Sequence, residues 1–235
     1  MSDQHISSAF DRDLQSVQAQ ILHMGEMVEQ AVLSGVKALI EHDTELAEEV
    51  RKGDKAIDRL ELQIEDEAAR IIALRAPVSA DLRMVLTVMR LASGLERMGD
   101  YAKNIAKRTT VLAVSDPSPG TGVHLRRMAN EVQSMLRDVL LAFTTRDAEL
   151  AHRVIEQDEE VDQIYNSLFR EFLTFMMEDP RAITACMHLH FIAKNLERMG
   201  DLVTNMAEQV VYLVTGERPD ERQKADTTPY MSAPE

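Results

Sequence analysis

The sequence predicts an all-α protein: six long helices forming two tandem, pseudo-symmetric three-helix bundles. Composition points there first, because only 4% of the 235 residues are aromatic and none is Trp, while Leu, Ala, Met, Glu and Arg are abundant. Apolar residues then recur at alternating steps of three and four, the period of a helix with one buried seam. Finally, the second half of the chain repeats the first.

The first helix is read from Phe10, Leu14, Val17, Ile21, Met24, Val28 and Ala31. Comparable patterns over 43–74 and 79–113 give the second and third, separated by Arg75-Ala76-Pro77, where proline halts a helix. Ser115-Asp116-Pro117-Ser118-Pro119-Gly120 divides the chain near its middle. The fourth helix follows from Leu125, Met128, Val132, Met135, Val139 and Ala142, and the fifth and sixth from 147–178 and 181–215, parted at Asp179-Pro180. Short turns make neighbouring helices antiparallel. The expected layout is a first bundle over 5–114, a linker at 115–122, a second bundle over 123–215, and a flexible tail at 216–235 rich in Pro, Asp, Thr and Ser.

Forty acidic against 26 basic residues leave a net charge of −14, so no broad positive field exists to hold a nucleic-acid backbone. The lone Cys186 can form no internal disulfide, the first residues lack the apolar run of a signal peptide, and no stretch reaches the ~20 apolar residues of a bilayer span. A cytoplasmic protein is expected, peripheral to a membrane only through partners. No Walker-type loop, dinucleotide fingerprint, nucleophile elbow or His-Glu-x-x-His is present, so no enzyme is expected.

The repeat carries the chemistry. At an offset of 104, Asp43-Thr44-Glu45-Leu46-Ala47 matches Asp147-Ala148-Glu149-Leu150-Ala151, while Asp54 and Asp58 match Asp158 and Asp162. Beyond the proline turn the offset becomes 101: Leu95-Glu96-Arg97-Met98-Gly99-Asp100 returns unchanged as Leu196-Glu197-Arg198-Met199-Gly200-Asp201, and Asn104 matches Asn205. Glu96, Asp100 and Asn104 stand at i, i+4 and i+8 and continue an apolar, core-facing stripe. The antiparallel turn lets Asp54 and Asp58 face them.

Like charges at i, i+4 each cost about 0.2–0.5 kcal/mol, and more when partly desolvated, so a bound cation is the expected remedy. Oxygen-only ligands suit hard ions such as Mg²⁺, Mn²⁺ or iron, with Zn²⁺ also admissible. The expected ligands are Asp54, Asp58, Glu96, Asp100 and Asn104 in the first half, and Asp158, Asp162, Glu197, Asp201 and Asn205 in the second. Glu61 and Glu65 are set aside, because they map to Tyr165 and Phe169. Glu149-x-x-His152 and the Cys186/His190 pair are weak alternatives. Gly99 and Gly200 are read as sites of close helix approach, and Arg97 and Arg198 as surface residues.

These duplicated motifs, with Arg75-Ala76-Pro77 and Asp81-Leu82-Arg83 in the first turn and Phe175-Met176-Met177-Glu178-Asp179-Pro180-Arg181 in the second, resemble the PhoU family of phosphate-specific transport system accessory proteins. The resemblance covers residues 5–215 and implies a cytosolic regulator, generally a homodimer, that limits phosphate uptake and represses the phosphate-starvation response. It implies an adaptor between the ATPase subunit of the phosphate ABC transporter and a sensor histidine kinase. It further implies metal clusters on Asp54, Asp58, Glu96 and Asp100, and on Asp158, Asp162, Glu197 and Asp201. The alternative expectation is a metal-independent helical interaction scaffold whose acids meet basic patches on partners.

Overall fold

In the computed structural model, residues 2–113 and 121–219 are described, with side chains from Phe10 onward. They form α1 (Ser2–Glu41), α2 (Thr44–Arg75), α3 (Ser79–Leu112), α4 (Thr121–Thr145), α5 (Ala148–Glu178) and α6 (Ile183–Thr215), with a short 3₁₀ turn at Pro180–Ala182 before α6. Among the described residues there is no strand. Helix α4 starts at Thr121, so the last two residues of the expected 115–122 linker are helical. The buried Thr121 side chain and Gly122, which packs on Ile40 of α1, tie that first turn to the core. Residues 115–120 of the linker, and the tail from 220 onward, lie outside the described residues.

The repeated Asp43 and Asp147 are helix N-caps. The Asp43 carboxylate accepts from the backbone N–H groups of Glu45 at 3.0 Å and Leu46 at 2.9 Å, and that of Asp147 from Leu150 at 2.9 Å. The turns before them are also the same. His42 and Arg146 both sit in the left-handed region (φ 55° and 57°), and the next N–H reaches five residues back, Asp43 to Ala38 at 2.9 Å and Asp147 to Ala142 at 3.0 Å. One Schellman-type turn is thus used twice. The second turns differ: Ala76 ends α2 in the left-handed conformation, whereas the Asp179 carboxylate accepts from the Arg181 N–H at 2.9 Å to cap the 3₁₀ turn that Pro180 opens.

The predicted seams are buried. Ile21, Met24 and Val28 of α1 and Leu125, Met128 and Val132 of α4 are wholly excluded from solvent. Helices α1–α3 pack on one another, as do α4–α6, and the two bundles join through α3 against α6 and α1 against α4. One apolar cluster therefore runs through both halves. Glu29 of α1 accepts from Gln133 of α4 at 2.6 Å and pairs with Arg137, adding polar contacts along that seam.

Candidate functional site

In the first repeat, Asp54 comes from the middle of α2 and is only 3% exposed. It is tolerated there because Lys103 reaches over from α3. The Lys103 ammonium is in ion-pair contact with Asp54 Oδ2 and lies 3.2 Å from Asp100 Oδ1. Asp54 Oδ1 has no hydrogen-bond donor. The contact with Asp54 drives the Lys103 pKa well above its ordinary value, so the lysine is charged at every accessible pH.

The other acids gather around this pair, half-buried. Burial, then the neighbouring Asp54, raises the pKa of Asp58; burial, then Asp100, Asp58 and Asp54, raises that of Glu96. Glu61 is pushed up to about 7, first by burial and then by Glu96, Glu65 and Asp58. It belongs to the acidic face, and the repeat comparison missed it because its counterpart is Tyr165. The signal available was its place one turn beyond Asp58, on the same side of α2.

In the second repeat, Asp158 is 1% exposed and Glu197 8%. Lys194, three residues before Glu197 on α6, donates to Glu197 Oε1 at 2.6 Å, while Oε2 is buried without a partner. Lys194 also lies 5.1 Å from the ring centre of Tyr165. His190 is enclosed by Tyr165, Phe169 and Phe191 at ring distances of 5.9, 5.3 and 5.9 Å. Burial, aided by Lys194, lowers its pKa and keeps it neutral. Asp162 and Asp201 are half-buried. Cys186 is buried in the core, and Glu149 and His152 are exposed at the start of α5.

The glycines of the repeated motif make room for these carboxylates. A Cβ on Gly200 would stand 2.6 Å from Asp158 Oδ1, and one on Gly99 would stand 3.1 Å from Ile57 Cδ1 and 3.7 Å from Asp54 Oδ1. Each buried aspartate of the α2/α5 pair is thus seated on a bare stretch of the α3/α6 pair. Asn104 is half-buried one turn beyond Asp100, but Asn205 is exposed and lines a groove between α3 and α6.

Among the described residues, no three His, Cys, Asp or Glu side chains converge in the arrangement of a metal centre. The donor set nevertheless fits a hard cation. It is all oxygen, it includes a buried carboxylate oxygen with no donor, and burial, with mutual repulsion added, raises the pKa of three of its members. Lys103 already supplies one positive charge there.

Residues 21–109 and 125–210 match the family described as the PhoU domain. A relative from Rhizobium meliloti (strain 1021), a phosphate-specific transport system accessory protein PhoU homolog, is 45% identical over 229 residues, covering 97% of each chain. The namesake from Zymomonas mobilis is 48% identical, over 94% of this chain and 92% of its own. The crystal structure of PhoU from Pseudomonas aeruginosa aligns with a TM-score of 0.85 at 40% identity, covering 88% of this chain and all of that one. That of the phosphate transport system regulatory protein PhoU from Streptococcus pneumoniae gives 0.84 at 34% identity, covering 90% of this chain and 100% of that one.

Proposed function

The chain belongs to the PhoU family, and from that premise we propose that it is an accessory protein of phosphate transport that limits uptake and holds the phosphate-starvation response off when phosphate is plentiful. The family is one of accessory proteins, and this member is not an enzyme. The single observation that carries the proposal is similarity over nearly the whole length of chains named for this system. The finer reading is an adaptor at the cytoplasmic face that touches the transporter's ATPase subunit and a sensor histidine kinase, working as a homodimer. No described helix is long and apolar enough to cross a membrane, which fits partner-borne membrane association.

The second element of the proposal concerns ions. Asp54, Asp58, Glu96 and Asp100 would hold a hard cation on the first face, with Asn104 at its edge and Glu61 as an added carboxylate; Asp158, Asp162, Glu197 and Asp201 would do so on the second. Such an ion supplies charge neutralisation and a fixed α2–α3 or α5–α6 spacing. The alternative, a scaffold whose acids dock directly on basic partner surfaces, is favoured by Lys103, a built-in cation that leaves the first face partly neutral without metal.

The regulatory reading is tested by deleting the protein in its host and measuring phosphate-regulated transcription and phosphate uptake at high external phosphate, with a complemented strain as control. Constitutive transcription restored by complementation is expected. Repression that persists without the protein overturns the reading. Charge reversal at Asp54 and Asp158 separates the two versions of the acidic faces: loss of partner binding in chelator indicates direct docking, and loss only with metal present indicates an ion-dependent surface.

A further inference from the structure

The seam between the two repeats carries a second polar site, of opposite charge. Helix α3 presents Arg90, Ser93, Gly94 and Arg97 at i, i+3, i+4 and i+7, and α6 presents Leu202, Asn205, Met206 and Gln209 at the same spacing. The two stripes face each other across a groove of about 320 Å³. That is large enough for a small polar ligand. No carboxylate lines it, in a chain whose net charge is −14.

Both guanidinium groups are uncommitted. Among the described residues, neither Arg90 nor Arg97 makes an ion pair or a side-chain hydrogen bond; Arg97 acts on Glu96 only as the last and weakest influence on that acid's pKa. Helices α3 and α6 meet closely at the groove: a Cβ on Gly94 would stand 3.2 Å from both Cγ and Sδ of Met206, so Gly94 and Met206 pack together in its wall. Ser93, Asn205 and Gln209 add neutral hydrogen-bonding groups.

The pseudo-symmetric position shows what the same backbone does when it is filled. There Arg90 is replaced by Phe191 and Gln209 by Arg108. The Arg108 guanidinium lies 4.5 Å from the centre of the Phe191 ring and hydrogen-bonds His188 Nδ1 at 3.2 Å. On that side the cation is consumed by the protein's own groups. On the Arg90 side it faces open space.

We propose that the α3–α6 groove binds a phosphoryl oxyanion, clamped by Arg90 and Arg97 and oriented by Ser93, Asn205 and Gln209. The two arginines stand roughly 10 Å apart along the helix axis, so their long side chains close on an anion from either end. A guanidinium fork matches the oxygens of a tetrahedral phosphoryl group two at a time, and two forks balance a dianion. The ligand is inorganic phosphate or a phosphate ester on another molecule; the recognition chemistry is shared. The site is built from residues apart from the acidic faces and does not rest on the regulatory reading.

The test is calorimetric titration of the full-length protein in chelator, so that ions on the acidic faces play no part, with inorganic phosphate in one arm, phosphoserine in a second and sulfate as the comparison anion. Saturable binding at millimolar or lower concentration is expected for phosphate or phosphoserine, and the tighter arm identifies the source. The double substitution Arg90→Gln with Arg97→Gln, at exposed positions, is expected to weaken that binding by roughly tenfold or more, while Arg153→Gln on α5 leaves it unchanged. In NMR, the side-chain amides of Asn205 and Gln209 shift on titration of the wild type. Absence of saturable binding in both arms, or equal binding by wild type and double variant, overturns the proposal. Phosphate-regulated transcription is read separately, so failure of either proposal leaves the other standing.

Discussion

The two acidic faces share a backbone and a buried aspartate but solve their charge problem with different residues. In the first repeat the cation is Lys103, which crosses from α3 to α2 to reach Asp54. In the second its counterpart is Thr204, whose hydroxyl is buried without a partner, and the nearby lysine is Lys194, which stays on its own helix to meet Glu197. Where the first face adds Glu61 and Glu65, the second has Tyr165 and Phe169 packed about His190. Both halves keep a buried aspartate on a glycine seat with a lysine of the facing helix nearby, and that lysine's position and partner differ.

The sharpest way to break this comparison is to remove the first face's own cation. Losing one partner of a buried pair costs about 3–5 kcal/mol, so Lys103→Met, whose side chain is 29% exposed, is expected to lose about 2–3 kcal/mol in denaturant unfolding at pH 8 with chelator. Next come the glycine seats. Overpacking costs about 1–3 kcal/mol and the gain in helix propensity returns about 1. Gly200→Ala, which drives a methyl onto Asp158, is expected to lose about 1–2 kcal/mol, whereas Gly99→Ala, opposed mainly by the flexible tip of Ile57, stays within about 1 of wild type. Equal losses at both would show that the seats do not differ.

Glu61→Gln tests the crowding of the first face through pH. The folded pKa of about 7 lies above the ordinary 4.5, so the ionised form is disfavoured by folding. No penalty acts below about pH 4.5; it grows as pH rises from 4.5 to 7 and is constant above. The variant should therefore match wild type near pH 4.5 and be more stable at pH 8 by no more than about 1 kcal/mol, given solvent screening of a part-exposed group. A gain that is the same at both pH values would contradict the cause assigned. The smallest effect is expected at Thr204→Val, which removes an unpaired buried hydroxyl and should be neutral or stabilising by up to about 1 kcal/mol in the same unfolding assay.

Most of the scaffold was legible because helices announce themselves locally. The apolar seams from Val17 to Val28 and from Leu125 to Val139 are buried, and Pro77 and Pro180 sit at turns. What escaped depends on partners distant in sequence or on residues that differ between repeats. Comparing repeats for identities could not find Lys103, which faces Thr204 in the alignment, and it discarded Glu61. The packing of α3 on α6 joins helices about 100 residues apart and leaves no periodic mark beyond a second apolar stripe. The left-handed His42 and Arg146 carry no glycine signal. Asn104 and Asn205 stand at the same spacing from their glutamates, yet Asn205 is exposed in the α3–α6 groove, a difference that helical spacing within one helix does not carry.

The proposal that matters most for the acidic faces is that a hard cation binds at Asp54 and at Asp158. Thermal unfolding of the full-length protein in chelator, and again with excess Mn²⁺, tests it directly in the wild type and in the double variant Asp54→Asn with Asp158→Asn. The expected result is a Tm that rises with Mn²⁺ in the wild type and not in the double variant. A wild-type Tm indifferent to Mn²⁺, or a rise that survives both substitutions, would contradict it.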